Sequence, residues 1–220
     1  MDAILLAAGN GSRMNIDLPK QFLKINGKPI FIFSLEILRK LESIENIIVT
    51  CNINYMEQYN QYCEDFGIEN VTFINGGKSR QESVFLGLRH VTSTRVLIHE
   101  AARPLIALDF VEYLISFTED IAIVPTVPIK FTVAKGLDYM TEELDRTLLH
   151  NIQLPQVFNT KILIDAHLKA IDDNYLTTED GMLVFHYGGK VRFVKGRESN
   201  IKVTTKLDIE LVNNLFKFNE

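Results

Sequence analysis

A chain of 220 residues, 46% hydrophobic and 23% charged, has the make-up of a globular protein and the length of one large α/β domain. Its formal net charge of -5 excludes a protein held chiefly by nucleic-acid phosphates or anionic lipid, so a polyanionic ligand must be met by a local cluster of cations. Cys51 and Cys63 form no Cys-x-x-Cys pair, no His/Cys cluster has zinc spacing, and no apolar run approaches membrane-spanning length. With no charged leader before the first apolar run, reduced thiols and a cytoplasmic location are expected.

Ala3-Ile4-Leu5-Leu6 reads as a fully buried strand of a parallel sheet. The loop that follows, Ala7-Ala8-Gly9-Asn10-Gly11-Ser12, has almost no side-chain bulk, so its backbone N–H groups can form a concavity for anions. Arg13 and, after a further loop, Pro19-Lys20 add two cations. Two better-known glycine loops are excluded. No lysine follows Gly11, as a Walker loop requires, and Met14 stands where a dinucleotide fingerprint has its third glycine. The stretch is the description of a triphosphate site.

An Asn26-Gly27 turn precedes Pro29, which opens a helix carrying Phe31, Ser34, Leu35 and Leu38 at helical spacing. A strand over 44–51, an amphipathic helix over 56–65 stopped by Gly67, and a strand over 71–74 complete a β-α-β-α-β order. That order argues for a parallel sheet with right-handed crossovers. Asn75-Gly76-Gly77-Lys78-Ser79-Arg80-Gln81-Glu82-Ser83 is a second small-residue loop, leading into a helix expected over 83–90. Ser83 and the backbone near Gly76 are placed to reach a base or a phosphate, and Ser79 either caps the helix or contacts ligand.

A fourth strand over 95–99 ends in Glu100-Ala101-Ala102-Arg103-Pro104. A carboxylate and an arginine at a strand's carboxyl end are placed for a site, or else form a local ion pair that fixes the loop. A helix over 109–117 and a fifth strand over 121–125 come next. An extended segment over 127–135, a turn at Gly136-Leu137-Asp138 and a return through Arg146 to His150 read as a protruding two-stranded arm. Such an arm is unstable alone, and its apolar residues suggest packing on another subunit. Asn159 or Thr160 caps a helix through Lys169, Thr177 to Asp180 cap another, 191–194 is a last strand, and a terminal helix runs over 206–216.

The stretches LLAAGNGSRM, LPKQFL, NGGKSRQESV, HEAARP, VPIKFT, QLPQVF and ESNIKVTT, in this order over essentially the whole chain, resemble the CTP-dependent cytidylyltransferases that act on polyol phosphates. The resemblance implies a Rossmann-like α/β fold, with a mostly parallel sheet flanked by helices. It implies a single cytidylyltransferase domain over 1–220, with an arm at about 130–152 that locks a homodimer. It further implies Mg²⁺ as the cofactor, and as substrates CTP and either 2-C-methyl-D-erythritol 4-phosphate or ribitol 5-phosphate. By motif, Leu6, Ala7, Ala8, Gly9, Gly11, Gly76, Gly77, Arg80, Ser83 and Ala101 would line the nucleotide site. Arg13, Lys20 and Lys202 would gather round the triphosphate as the catalytic cations. Glu100, Arg103, Thr132 and Arg146 would meet the acceptor, Arg146 from the partner's arm, and Glu100 would be the candidate metal ligand.

The sequence departs from the family pattern on the acceptor side, with Glu100 for aspartate, Phe131 before Thr132, Leu154 before Pro155-Gln156, and Glu179-Asp180 after Thr178. Two rival readings keep the fold: a nucleotidyltransferase using another nucleoside triphosphate and a sugar phosphate, and a CTP-binding subunit without catalysis. Neither nucleic acid nor membrane is an expected partner.

Overall fold

The structure, a computed structural model, describes residues 1–9, 19–119 and 121–218. Strand β1 (Asp2–Leu6) is followed by a 3-10 turn at Lys20–Phe22, the short strands β2 (Lys24–Ile25) and β3 (Lys28–Pro29), and helix α1 (Ile30–Arg39). Then come β4 (Ile47–Cys51), α2 (Met56–Asp65), β5 (Val71–Asn75), α3 (Arg80–Leu88), β6 (Arg95–Glu100) and α4 (Leu108–Ile115). The second half holds β7 (Ala122–Pro128), β8 (Ala134–Gly136), β9 (Met140–Glu143), β10 (His150–Ile152), β11 (Gln156–Asn159), α5 (Thr160–Asp172), α6 (Asp180–His186), β12 (Val191–Lys195) and α7 (Lys206–Phe218).

The mostly parallel sheet expected from the β-α-β-α-β order is present. β5, β4, β1 and β6 lie side by side and run parallel, and β12 pairs parallel with β7. Antiparallel β10 and β11 are inserted along β7, and β11 also pairs with β6. Because the chain moves outward from β1 to β5 and then returns to β6 on the other side of β1, the strand order reverses at β1/β6. The crevice beyond the carboxyl ends of such a pair is where open α/β sheets bind ligands.

β1 is buried on both faces. Ala3, Leu5 and Ala7 join the core under α1, α2 and α4, whereas Ile4 joins the core under α3, α5 and α6. A Cβ on Gly87 would come within 2.9 Å of Ile4, so α3 lies close on the sheet. α7 covers a third, smaller cluster around Ile25, Ile30 and Val203.

Local signals explain most boundaries. Gly67, at φ +62°, ends α2, with Gly67 N bonded to Glu64 O and Ile68 N to Cys63 O. Asn159 caps α5 by accepting from Ile162 N. α3 starts three residues earlier than the spacing predicts, at Arg80, because the Ser79 side chain caps it by accepting from Glu82 N. The 177–180 stretch makes no side-chain cap for α6; its carboxylates turn to other partners. The β7 strand runs on to Pro128 and β10 belongs to the main sheet, so the arm is shorter than the expected 130–152. Its own two strands, β8 and β9, form a separate ribbon.

Candidate active site

A cavity of about 510 Å³, a volume suited to a small-molecule ligand, opens beyond the carboxyl ends of β1, β4, β5 and β6. Its floor is backbone. Ala7 N donates to Thr50 O (2.8 Å), Gly76 N to Cys51 O (2.8 Å) and Ala101 N to Leu6 O (3.0 Å), so three loops are stitched to neighbouring strands. A Cβ on Gly76 would lie 2.3 Å from that of Ala8, which makes glycine the residue that lets the two small-residue loops touch.

Two lysines from distant parts of the chain reach this floor. Lys20 sits on the 3-10 turn anchored by Phe22, whose ring is wedged among Phe31, Tyr55, Tyr59 and Tyr62, and its Cε lies 3.7 Å from where a Cβ on Gly9 would be. Lys202 is carried by the 198–204 segment, which is bonded back onto the β6 loop through Val203 N to Ala102 O (2.7 Å). Lys202 Nζ stands 2.6 Å from Glu100 Oε2.

Glu100 is the electrostatic centre. Its other oxygen, Oε1, accepts from Arg80 Nε at 2.9 Å. Burial alone would raise this carboxyl, but Lys202 and Arg80 outweigh it and hold it down at about 2. Arg80 also donates to Asp180 Oδ2 (2.7 Å) and Glu179 Oε2 (3.4 Å). Asp180 is fully buried, and Arg80 and His167 overcome the cost of burial to hold it at about 2. Glu179 goes the other way: burial raises it, against the pull of Arg80. The pairing of Glu100 is therefore long-range, and the local Glu100–Arg103 ion pair considered from sequence is replaced by Arg80 and Lys202. With each Glu100 oxygen facing a cation, this carboxylate does not fit a metal-ligand role. Among the described residues no group of three or more His, Cys, Asp or Glu side chains is placed to hold an ion.

Of the residues singled out from sequence, Leu6, Ala7, Ala8, Gly9, Lys20, Gly76, Gly77, Arg80, Ser83, Glu100, Ala101 and Lys202 line this one cavity. Gly11 and Arg13 lie outside the described residues. Ser83 has its hydroxyl engaged: it accepts from Gly77 N (3.0 Å) and donates to Ser79 O (2.9 Å), leaving one acceptor position. Arg103 is buried and donates to Asn200 O (2.8 Å), holding the segment that carries Lys202. Thr132 and Arg146 line a separate hollow on the arm. Sequence reasoning missed Gln21, Thr50, Asn52, Asn75 and Lys78 in the cavity lining. Lys78, inside the second glycine loop, had a usable signal. Glu179 and Asp180, singled out as a helix cap and as a departure on the acceptor side, stand behind the cavity on Arg80.

A sheet that reverses its strand order over a backbone cradle, with two lysines converging on that cradle, defines a nucleotidyltransferase of the Rossmann-like α/β class. The family model for 2-C-methyl-D-erythritol 4-phosphate cytidylyltransferase matches residues 1–217. Curated relatives of that name include one from Bacillus cytotoxicus, 38% identical over 210 residues (94% of this chain, 93% of the relative). Another, from Clostridium botulinum strain Okra, is 36% identical over 216 residues (94% and 93%). The crystal structure of 4-diphosphocytidyl-2C-methyl-D-erythritol synthase from Anaerococcus prevotii matches with a TM-score of 0.86 at 26% identity, covering 98% of this chain and 97% of that one. The chain belongs to the 2-C-methyl-D-erythritol 4-phosphate cytidylyltransferase family.

Proposed function

We propose that this enzyme transfers CMP from CTP to 2-C-methyl-D-erythritol 4-phosphate, releasing pyrophosphate, in isoprenoid precursor synthesis. The observation that carries the reading is the convergence of Lys20 and Lys202 on the cradle formed by Ala7–Gly9 and Gly76–Gly77. The choice of acceptor is supported by the names of the relatives.

An oxygen of the acceptor's phosphate attacks the α-phosphorus of CTP; the new O–P bond forms as the bond to the β-phosphate oxygen breaks. A phosphate monoester is already anionic at neutral pH, so the attack needs no general base. The task is to hold two anions together and stabilise the charge that grows on the α-phosphate. Lys202, ion-paired with Glu100 at 2.6 Å, is proposed to turn its ammonium donors to the α-phosphate. Lys20 lies over Gly9 on the opposite wall, and Arg13 is proposed to join them on the outer phosphates.

The remaining acceptor position of Ser83 supports cytosine as the base, because the 4-amino group of cytosine donates where the 4-oxo group of uracil cannot. A divalent cation, Mg²⁺, is proposed to enter with the nucleotide, whose phosphates are the hard oxygen ligands it prefers. The acceptor is proposed to lie between Glu100 and the arm of a partner subunit bringing Thr132 and Arg146, in a cytoplasmic homodimer. Arg103 acts there through Asn200. The test is pyrophosphate release with CTP or UTP and with 2-C-methyl-D-erythritol 4-phosphate or ribitol 5-phosphate. Turnover is expected with CTP and the methylerythritol acceptor; turnover confined to another pair overturns the reading.

A further inference from the structure

We propose that Tyr59 is a positioning residue whose buried side chain holds the Ala7–Gly9 cradle and the Lys20 ammonium at a fixed separation. Its kinetic consequence rests on the nucleotidyl-transfer reading above; the geometry does not. Tyr59 projects from α2 into the core and is 0% exposed. Its hydroxyl donates to Ala7 O at 2.9 Å. Its ring lies 4.6 Å from that of Phe22, centroid to centroid. One side chain thus touches the loop after β1 with its hydroxyl and the Lys20–Phe22 turn with its ring.

Packing alone does not ask for a tyrosine here. The ring sits among Phe22, Phe31 and Phe73, where phenylalanine would fill the same space. Burying a hydroxyl is unfavourable unless it is bonded, so its hydrogen bond is the reason for the oxygen. With Ala7 N already held by Thr50 O, the bond from Tyr59 ties the carbonyl as well, and Ala8–Gly9 start from a residue tied at both ends. Phe22, packed on the ring of the same side chain, lies two residues after Lys20. Loss of the hydroxyl leaves Ala7 O to find another partner and frees the loop after β1 from the ring that holds the Lys20–Phe22 turn, so the two segments can move apart.

Tyr59→Phe tests this. The expected result is a kcat for CTP turnover lower by about tenfold, short of the ~10²-fold that a misplacement of 1 Å can cost. Added to Lys20→Ala, Tyr59→Phe is expected to cost less than it does alone, since only the Ala7–Gly9 cradle is left to misplace; added to Lys202→Ala, it keeps its full penalty. A merely structural loss would act equally in both backgrounds, and that outcome, or an unchanged kcat in the single variant, overturns the inference. Hydrogen exchange needs no substrate and carries the same comparison. Amides at 5–9 and 20–23 are expected to exchange about tenfold faster in Tyr59→Phe, with those of α5 unchanged as the folding control. Unchanged exchange at both segments overturns the inference. If the wild-type protein turns over no nucleotide, the proposed reaction falls, and the exchange result still decides for or against Tyr59.

Discussion

Arg80 carries one positive charge and faces three carboxylates, Glu100 at the end of β6 and Glu179 and Asp180 at the start of α6. That balance leaves Glu100 and Asp180 ionised. Lys20→Ala and Lys202→Ala are each expected to lower kcat by about 10²-fold or more, what one electrostatic donor is worth in such a site; steady-state kinetics on the two variants checks this. The same residues set the response to acid. His99 is buried, and burial with the nearby Arg103 charge lowers it from 6.5 to about 3, so it folds neutral and opposes protonation as pH falls below 6.5. Glu100 and Asp180 contribute stability that is present above their unfolded values of 4.5 and 3.8 and is lost as pH falls toward about 2. Glu179, raised in the fold, works in the opposite direction. Thermal unfolding followed against pH is therefore expected to show the midpoint falling from pH 6.5 downward, more steeply below 4.5. His99→Gln is expected to flatten the upper part of that fall.

At the scale of elements, the site exists because two glycine loops touch. Gly76 against Ala8 is the point of contact. Gly76→Ala is expected to cost about 1–3 kcal/mol through forced separation of the loops, read as weaker CTP binding by calorimetry. Adding Ala8→Gly is expected to restore part of it, since it removes the clashing methyl. Periodicity and capping chemistry made these elements readable in advance: the β1 strand, the α2 helix and its Gly67 stop, and the Asn159 cap all follow from local residue types. The α6 start was readable in the same way, at 177–180; the absence of a side-chain cap there was not, because Glu179 and Asp180 satisfy Arg80, which lies about a hundred residues away in sequence.

At the scale of the whole molecule, the arm places large apolar side chains in water. Leu137, Tyr139 and Phe131 are 101%, 85% and 82% exposed. Several large apolar side chains exposed on one segment are a feature of interaction sites, and a second copy of the chain is the proposed occupant. Sedimentation is expected to find a dimer. Leu137→Asp combined with Tyr139→Asp is expected to yield monomers that still bind CTP, because the nucleotide cavity is built within one chain, but that have a raised KM for the polyol phosphate. Dimers that persist in this variant would count against the arm as the contact.

The order of the main strands and helices, the two glycine loops and the cations worth examining were all determined by the sequence, since each depends on residues adjacent along the chain. Which groups meet was decided by the tertiary structure. Lys20 and Lys202 share a cavity, Glu100 pairs with Arg80 and Lys202 and not with Arg103, and Tyr59 ties two loops together. Charges and hydroxyls select partners by distance in space, and that distance is set only when the sheet is assembled and its loops are drawn to one edge.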